Sequence, residues 1–280
     1  MLSYRHGFHA GNFADVLKHI TQTLIIDALK EKPKPFVYYD THAGAGRYDL
    51  STDVSLKTAE FKSGIAEIWQ RTDIPKSVKP YVEIIRQLNA NGELKYYPGS
   101  PLIARELISR NNRLELTDLH PADFKLLKQE FVNDRNVRVQ QKDGYKNLLS
   151  QLPPIQRRAL ILIDPSYELN GDYKGCANNV IKAHKLFATG IYAIWHPIIA
   201  RKCTDQFYNM FKLSGIKNIL KIELCIKQYN EDYGMTGTGM VIINPPWKLK
   251  QQLEETLPWL AKHLQQDNFT KYSIEWLVPE

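Results

Sequence analysis

Apolar positions along this chain switch period in a regular way. After a polar, aromatic and His-rich tail over residues 1–11, Val16, Ile20, Leu24 and Ala28 recur at helical spacing. That spacing predicts a helix over 12–31, with Asn12 as its N-cap. Pro33 and Pro35 end it, and Phe36 to Asp40 reads as a first strand entering Thr41-His-Ala-Gly-Ala-Gly46. Residues 51–98 lose the strand–helix alternation and predict amphipathic helices around 60–71 and 77–90. A helix near 101–109 then precedes strands at 113–118, 136–140, 159–164 and 190–195, with helices between them. Strands at 218–227 and 238–244, a helix at 248–264 and a last strand at 272–278 complete the chain. Repeated strand–helix units predict an α/β fold with a mostly parallel, doubly wound sheet. The expected organisation is a tail, helix and first strand over 1–50, a helical insertion over 51–98, and the rest of the domain over 99–280.

Composition narrows the class without naming a chemistry. The chain has 280 residues, 43% hydrophobic and 24% charged, as an ordinary globular domain does. No run approaches the roughly eighteen apolar residues of a spanning helix. The first residues lack the apolar core of a signal peptide, so a cytoplasmic location is expected. Cys176, Cys203 and Cys225 show no CxxC spacing, which argues against a disulfide framework. A net charge of +7 suits a polyanionic partner. Arg105, Arg110, Arg113, Arg157, Arg158, Arg201 and Lys202 are candidate backbone contacts to nucleic acid, though scattered charges of this kind are usually surface. No exposed apolar stripe demands a second copy, and a monomer is expected.

Four features fall at successive strand ends, where open α/β sheets bind ligands. Gly44 and Gly46, one residue apart after the first strand, let the backbone turn and approach a ligand closely. Asp118, after the next strand, can accept both ribose hydroxyls of an adenosine-containing cofactor; equally, it can cap the helix before Pro121. Asp143 and Gly144 can read an adenine edge, and Asp143 can also be a helix cap. The fourth is Asp164-Pro-Ser-Tyr167, closing the buried run Ala159–Ile163. A dinucleotide site is disfavoured because Asp49 follows Gly46 where a third glycine or alanine should be, and no Walker loop is present. A decoy, Asn244-Pro-Pro-Trp247, matches an amine-methylating signature better when taken alone. Its late position reads instead as a strand end turning into the last helix.

Asp164-Pro-Ser-Tyr167 resembles the [DNS]-P-P-[YFW] signature of amino-group methyltransferases that use S-adenosylmethionine. The resemblance sharpens with Tyr4-Arg-His-Gly-Phe-His9, Asp15-Val-Leu-Lys-His19, Tyr97-Pro-Gly-Ser-Pro101 and Leu116-Thr-Asp-Leu-His-Pro121. Together with the glycine loop, these segments look like the bacterial RlmJ family of 23S rRNA adenine-N6 methyltransferases, over essentially the whole chain. That resemblance implies a Rossmann-like methyltransferase fold with a small helical insertion. It implies cofactor contacts at His19, His42, Ser100, Asp118, Asp143, Gly144 and Asp164, and substrate contacts at Tyr4, His6 and Lys18. The implied partner is 23S rRNA, naked or in an early assembly intermediate. Asp118 stands where relatives commonly carry Glu, and Ser166 where they carry a second proline, which frees the loop backbone.

The implied chemistry is transfer of a methyl group to an adenine N6. Asp164 and a backbone carbonyl beside Pro165 would accept the amine hydrogens, with Asp164 as general base, while Tyr167 would stack the flipped base. The bland readings are a core aromatic for Tyr167 and a solvated helix charge for Lys18. His6 and His9 have His-x-x-His spacing, but no Cys or Glu partner is suitably spaced, so no metal is expected. DNA adenine or protein glutamine are alternative acceptors, and a non-enzymatic RNA-binding protein on a degenerate fold is a third reading.

Overall fold

The computed structural model describes residues 5–169, 171–228 and 234–280. Tyr4, a candidate substrate contact, lies outside the described residues. The first helix, α1, spans Phe13–Lys30, and the Asn12 side chain accepts hydrogen bonds from the Ala14 and Asp15 amides at its start. Its residues from Phe13 to Ile26 are all buried, so α1 is a core helix rather than a surface one.

Strands β1 (Val37–Asp40), β4 (Arg113–Asp118), β5 (Val137–Gln141), β6 (Ala159–Ile163) and β7 (Ile191–Ile198) run parallel in the order β5-β4-β1-β6-β7. The sheet continues antiparallel through β9 (Gly237–Ile243), β8 (Ile219–Cys225) and β10 (Lys271–Val278). The crossovers are α4 (Ser100–Leu107), α5 (Pro121–Glu130), α6 (Gly144–Gln151), α7 (Asp172–Leu186) and α8 (Arg201–Lys212), with α9 (Leu249–Leu264) before β10. The expected mostly parallel α/β sheet is therefore present. Every residue of β6 is buried, as a central parallel strand covered on both faces requires.

Between β1 and α4 the chain departs from expectation in two places. The helix expected over 60–71 is instead a pair of 3-10 turns, Glu60–Ser63 and Ile65–Glu67, after α2 (Asp53–Thr58). Gly64 separates the turns, and an added Cβ there would sit 2.2 Å from the Gly11 carbonyl oxygen. That carbonyl accepts the Ile65 amide at 2.8 Å, tying the segment to the start of α1. The second departure is an unexpected antiparallel ribbon of β2 (Arg47–Asp49) and β3 (Tyr96–Pro98), which closes this region at its base. The helix expected over 77–90 forms as α3 (Lys79–Leu88).

The parallel register places the carboxyl ends of β1, β4 and β6 side by side, with Asp40 opposite both Leu116 and Leu162. Asn244 lies at the other end of the sheet, because β9 runs antiparallel to β7 and Ile243 pairs with Tyr192 at the start of β7. There the Asn244 side chain donates to the carbonyls of Ala188 and Gly190, both at 2.8 Å. The decoy motif is thus remote from Asp164, and Trp247 is 81% exposed.

Candidate functional site

Two cavities open at the carboxyl edge of the parallel strands, and His6, Lys18, Asp164 and Ser166 line both. The first is also walled by His19, His42, Gly44, Ser100 and Asp118. The second, of about 500 Å³, falls within the size range of small-molecule sites and extends past Trp195, Pro197 and Met235. Asp164 therefore sits on the partition between two binding spaces.

A chain of buried charges fixes that partition. Lys18 Nζ lies 2.5 Å from Asp164 Oδ2 and 2.8 Å from Asp15 Oδ1. Asp15, almost wholly buried, also accepts His6 Nε2 at 2.8 Å and the Gly11 amide at 2.9 Å. Burial alone would push the Lys18 ammonium toward neutrality, but the Asp15 and Asp164 carboxylates outweigh it and hold the lysine charged. Burial likewise opposes the charge on Asp15, yet His6 and Lys18 keep its carboxyl well below the usual range. Lys18, readable as a solvated helix charge, is instead 3% exposed and centrally placed.

On the first cavity's side, Asp118 joins two loops, its Oδ2 accepting the Gly44 amide at 2.7 Å and its Oδ1 the His120 amide at 2.8 Å. Burial raises its pKa against those two amide bonds. His42 is driven down to about 4 by burial and so is neutral at physiological pH. His19 Nδ1 pairs with the Tyr97 hydroxyl at 2.7 Å, while its Nε2 is buried with no partner. Ser100 donates to Asp40 Oδ2 at 2.7 Å, as does the Tyr38 hydroxyl at 2.8 Å. Burial, resisted by those two hydroxyls, lifts the Asp40 carboxyl to about 6.

The other candidates stand one layer back. Asp143 is a helix cap, accepting the Lys146 amide at 2.9 Å. Gly46 lines neither cavity, and its carbonyl instead accepts the Gly99 amide at 2.8 Å. Gly144 packs so tightly that an added Cβ would lie 2.0 Å from the Thr41 carbonyl oxygen. Gly144→Ala is therefore expected to cost about 1–3 kcal/mol of stability by overpacking and to displace the loop holding His42. Thermal unfolding and calorimetric cofactor titration would measure both effects.

The stacking role expected of Tyr167 meets a different arrangement. Tyr167 is only 6% exposed and, like Pro165, lines neither cavity. Its backbone takes φ of +49°, which turns the ring inward. There it lies 4.6 Å from the Tyr173 ring, and its hydroxyl donates to the Trp195 carbonyl at 2.7 Å. Sequence reasoning also missed Asp15 and Trp195 as parts of the site. Asp15 carried a signal in its i, i+3 spacing to Lys18, whereas Trp195 carried none.

His6 and His9 are engaged with Asp15 and Glu60. Among the described residues, no group of three or more His, Cys, Asp or Glu side chains could hold a metal ion. No helix among them is long and apolar enough to cross a membrane.

Comparison with known proteins gives this geometry its context. Residues 33–278 match the family model described as "Ribosomal RNA large subunit methyltransferase D, RlmJ". The chain is 49% identical over 280 residues to the "Ribosomal RNA large subunit methyltransferase J" of Escherichia coli (strain K12), covering all of both chains. It is 48% identical over 281 residues to the protein of that name from Haemophilus influenzae, again at full coverage. A crystal structure of protein LPL1258 from Legionella pneumophila superposes with a TM-score of 0.90 at 37% identity, covering 96% of this chain and 98% of that one. With a family model over residues 33–278 and full-length relatives at 48–49% identity, the chain belongs to the RlmJ family of methyltransferases.

Proposed function

We propose that this enzyme transfers a methyl group from S-adenosylmethionine to the N6 amine of an adenine in 23S rRNA. The observation that carries the reading is the meeting of two cavities at Asp164, one suited to a cofactor and one to an acceptor. Its full-length relatives at 48–49% identity, described as ribosomal RNA large subunit methyltransferases, supply the substrate class.

The first cavity's residues fit the cofactor. His19 offers an unpartnered buried Nε2 there, and Gly44 brings the backbone to the wall without a side chain. His19, His42, Gly44, Ser100 and Asp118 would hold it, with Asp143 and Gly144 supporting that wall from behind. S-adenosylmethionine bound there supplies a methyl group on a sulfonium that needs no further activation. The work left to the protein is alignment, for which well-oriented reactants gain about 7–11 kcal/mol.

The adenine amine is a poor nucleophile because its lone pair is delocalised into the ring. Accepting its hydrogens at Asp164 and at the backbone carbonyl beside Pro165 localises that lone pair toward the methyl donor. Lys18 occupies Oδ2 of Asp164, which leaves Oδ1 for the amine. Asp164 then takes the proton as general base. His6 lies on the partition, where it can meet the acceptor nucleotide, and the family resemblance alone assigns Tyr4 to the same nucleotide.

The test uses purified protein, labelled S-adenosylmethionine and unmodified 23S rRNA, either deproteinised or in early assembly intermediates, read by nucleoside mass spectrometry. Labelled N6-methyladenosine is the expected product. Cofactor binding without label in either RNA would overturn the substrate assignment, and label in DNA adenine would replace it.

A further inference from the structure

We propose that the far end of the larger cavity is a subsite for a guanine beside the target adenine, with the Glu60 carboxylate reading it. The inference rests on the reading of that cavity as the acceptor side. Besides Asp164 and Ser166, the cavity is walled by His9, Asn12, Glu60 and Ser63. None of these last four lines the cofactor-side cavity, so they stand away from the partition. At about 500 Å³ the space has room for more than the base under methylation, and this part of its wall is polar.

Three parts of the chain build that wall. Ala59, left-handed at φ of +49°, ends α2 and turns the backbone so that Glu60 opens the first 3-10 turn. Glu60 Oε1 pairs with His9 Nδ1 at 2.8 Å, and Oε2 accepts Asn12 Nδ2 at 2.9 Å. Asn12 also caps α1, so one side chain ties the carboxylate to the helix carrying Asp15 and Lys18. Gln266, after α9, donates to Ser63 Oγ at 3.2 Å and fixes the other end of the turn. Burial opposes a charge on Glu60, but the His9 and Asn12 bonds outweigh it and hold its carboxyl below the usual range. The side chain is still 33% exposed, open enough for a ligand to meet it.

A carboxylate oxygen has two lone-pair sites, and His9 and Asn12 take one on each. One acceptor site per oxygen is left, a side-by-side pair complementary to two adjacent donors. Guanine carries two such donors on its Watson–Crick edge, at N1 and N2. Adenine, cytosine and uracil each present a single donor group there, and the negative charge repels a phosphate. Met235 and Ile199 line the same cavity and offer apolar surface to the ring. Unpaired RNA is read in this way, by hydrogen bonds to base edges that pairing would otherwise cover.

The test measures kcat/KM on 23S rRNA transcripts in which each neighbour of the methylated adenine is varied through the four bases and inosine. In the wild type, guanine is expected to lead at one neighbour by about 5- to 150-fold, the span of one good bidentate contact. Inosine, which lacks the N2 amine, is expected to lose most of that lead. Glu60→Gln has one acceptor oxygen in place of two; it is expected to bind S-adenosylmethionine normally and to level the ranking at that neighbour alone. No preference for guanine at either neighbour, or inosine as good as guanine, would overturn the subsite. So would an unchanged preference in Glu60→Gln, or a fall in that variant equal for every base, which marks a backbone contact. If Glu60→Gln fails to fold, guanine against inosine in the wild type decides. A wild-type enzyme that methylates no rRNA adenine would instead remove the function on which the subsite rests.

Discussion

Replacing Asp164 with alanine is expected to lower methyl transfer by about 10²–10⁴-fold while leaving cofactor affinity within a few-fold of wild type. The carboxylate is the acceptor for the amine hydrogens and the sink for the proton. Its loss also leaves the Lys18 ammonium, 2.5 Å away in the native arrangement, balanced by Asp15 alone and facing the amine. Asp164→Asn separates these contributions, because the amide keeps the shape and one acceptor oxygen but cannot take a proton. If proton removal limits the rate, Asn is as poor as Ala in single-turnover assays. If hydrogen-bond acceptance is the main contribution, Asn recovers a substantial part of the activity. Ala activity equal to wild type would exclude Asp164 from the chemistry.

Lys18→Met is expected to cost about 3–5 kcal/mol of stability and most of the activity. The ammonium is buried between two carboxylates, and removing it leaves Asp164 without its cation and Asp15 with only His6 and the Gly11 amide against the cost of burial. Two further observations can test this cause. Asp15→Asn combined with Lys18→Met should recover part of the lost stability, because the stranded carboxylate is gone, yet it should not restore turnover. The pH dependence should also change sign. In the wild type, Asp15 has a depressed folded pKa, so its contribution is present above its ordinary value of 3.8 and is lost as pH falls through the folded value. In Lys18→Met the stranded carboxylate should be raised in the folded state, and stability should then increase as pH falls through that raised value. Denaturant midpoints between pH 2 and 8 would show the reversal, and parallel profiles for the two proteins would rule out this origin for the loss.

Much of the sheet was legible because the information is local. Ala159–Ile163 is an apolar run bounded by turn residues, and Val16, Ile20, Leu24 and Ala28 keep helical spacing. Where the reading failed, a distant partner decided. The helix expected over 60–71 breaks at Gly64, whose backbone is non-helical and whose lack of a Cβ lets the backbone of Gly11 and Asn12 pack against it. The β2–β3 ribbon has three residues per strand, too few for a period to register. Within the site, the order of strand-end residues brought His42, Gly44, Asp118 and Asp164 to one edge, and Asp143 caps the helix after the next strand. Lys18 meets Asp164 across 146 positions, and no spacing rule reaches that far. The direction of Tyr167 was equally hidden, since a motif gives a residue's type and place but not which way its ring turns.

The placement of β9 between β7 and β8 has a bearing on accuracy. Without it β7 would be an edge strand, free to fray along one side. Paired with β6 as far as Ile194 and with β9 through Ile198, it carries Trp195 and Pro197 on backbone laddered to β9. Amide hydrogens of β7 should therefore exchange at the slow, global limit, while those of the loops around Gly44 and His120 exchange faster. The acceptor side of the enzyme would then act as a rigid gauge and the donor side as the compliant one. An acceptor bearing an added bulky group toward the β7 wall is therefore expected to be refused by shape more than one enlarged on the donor side.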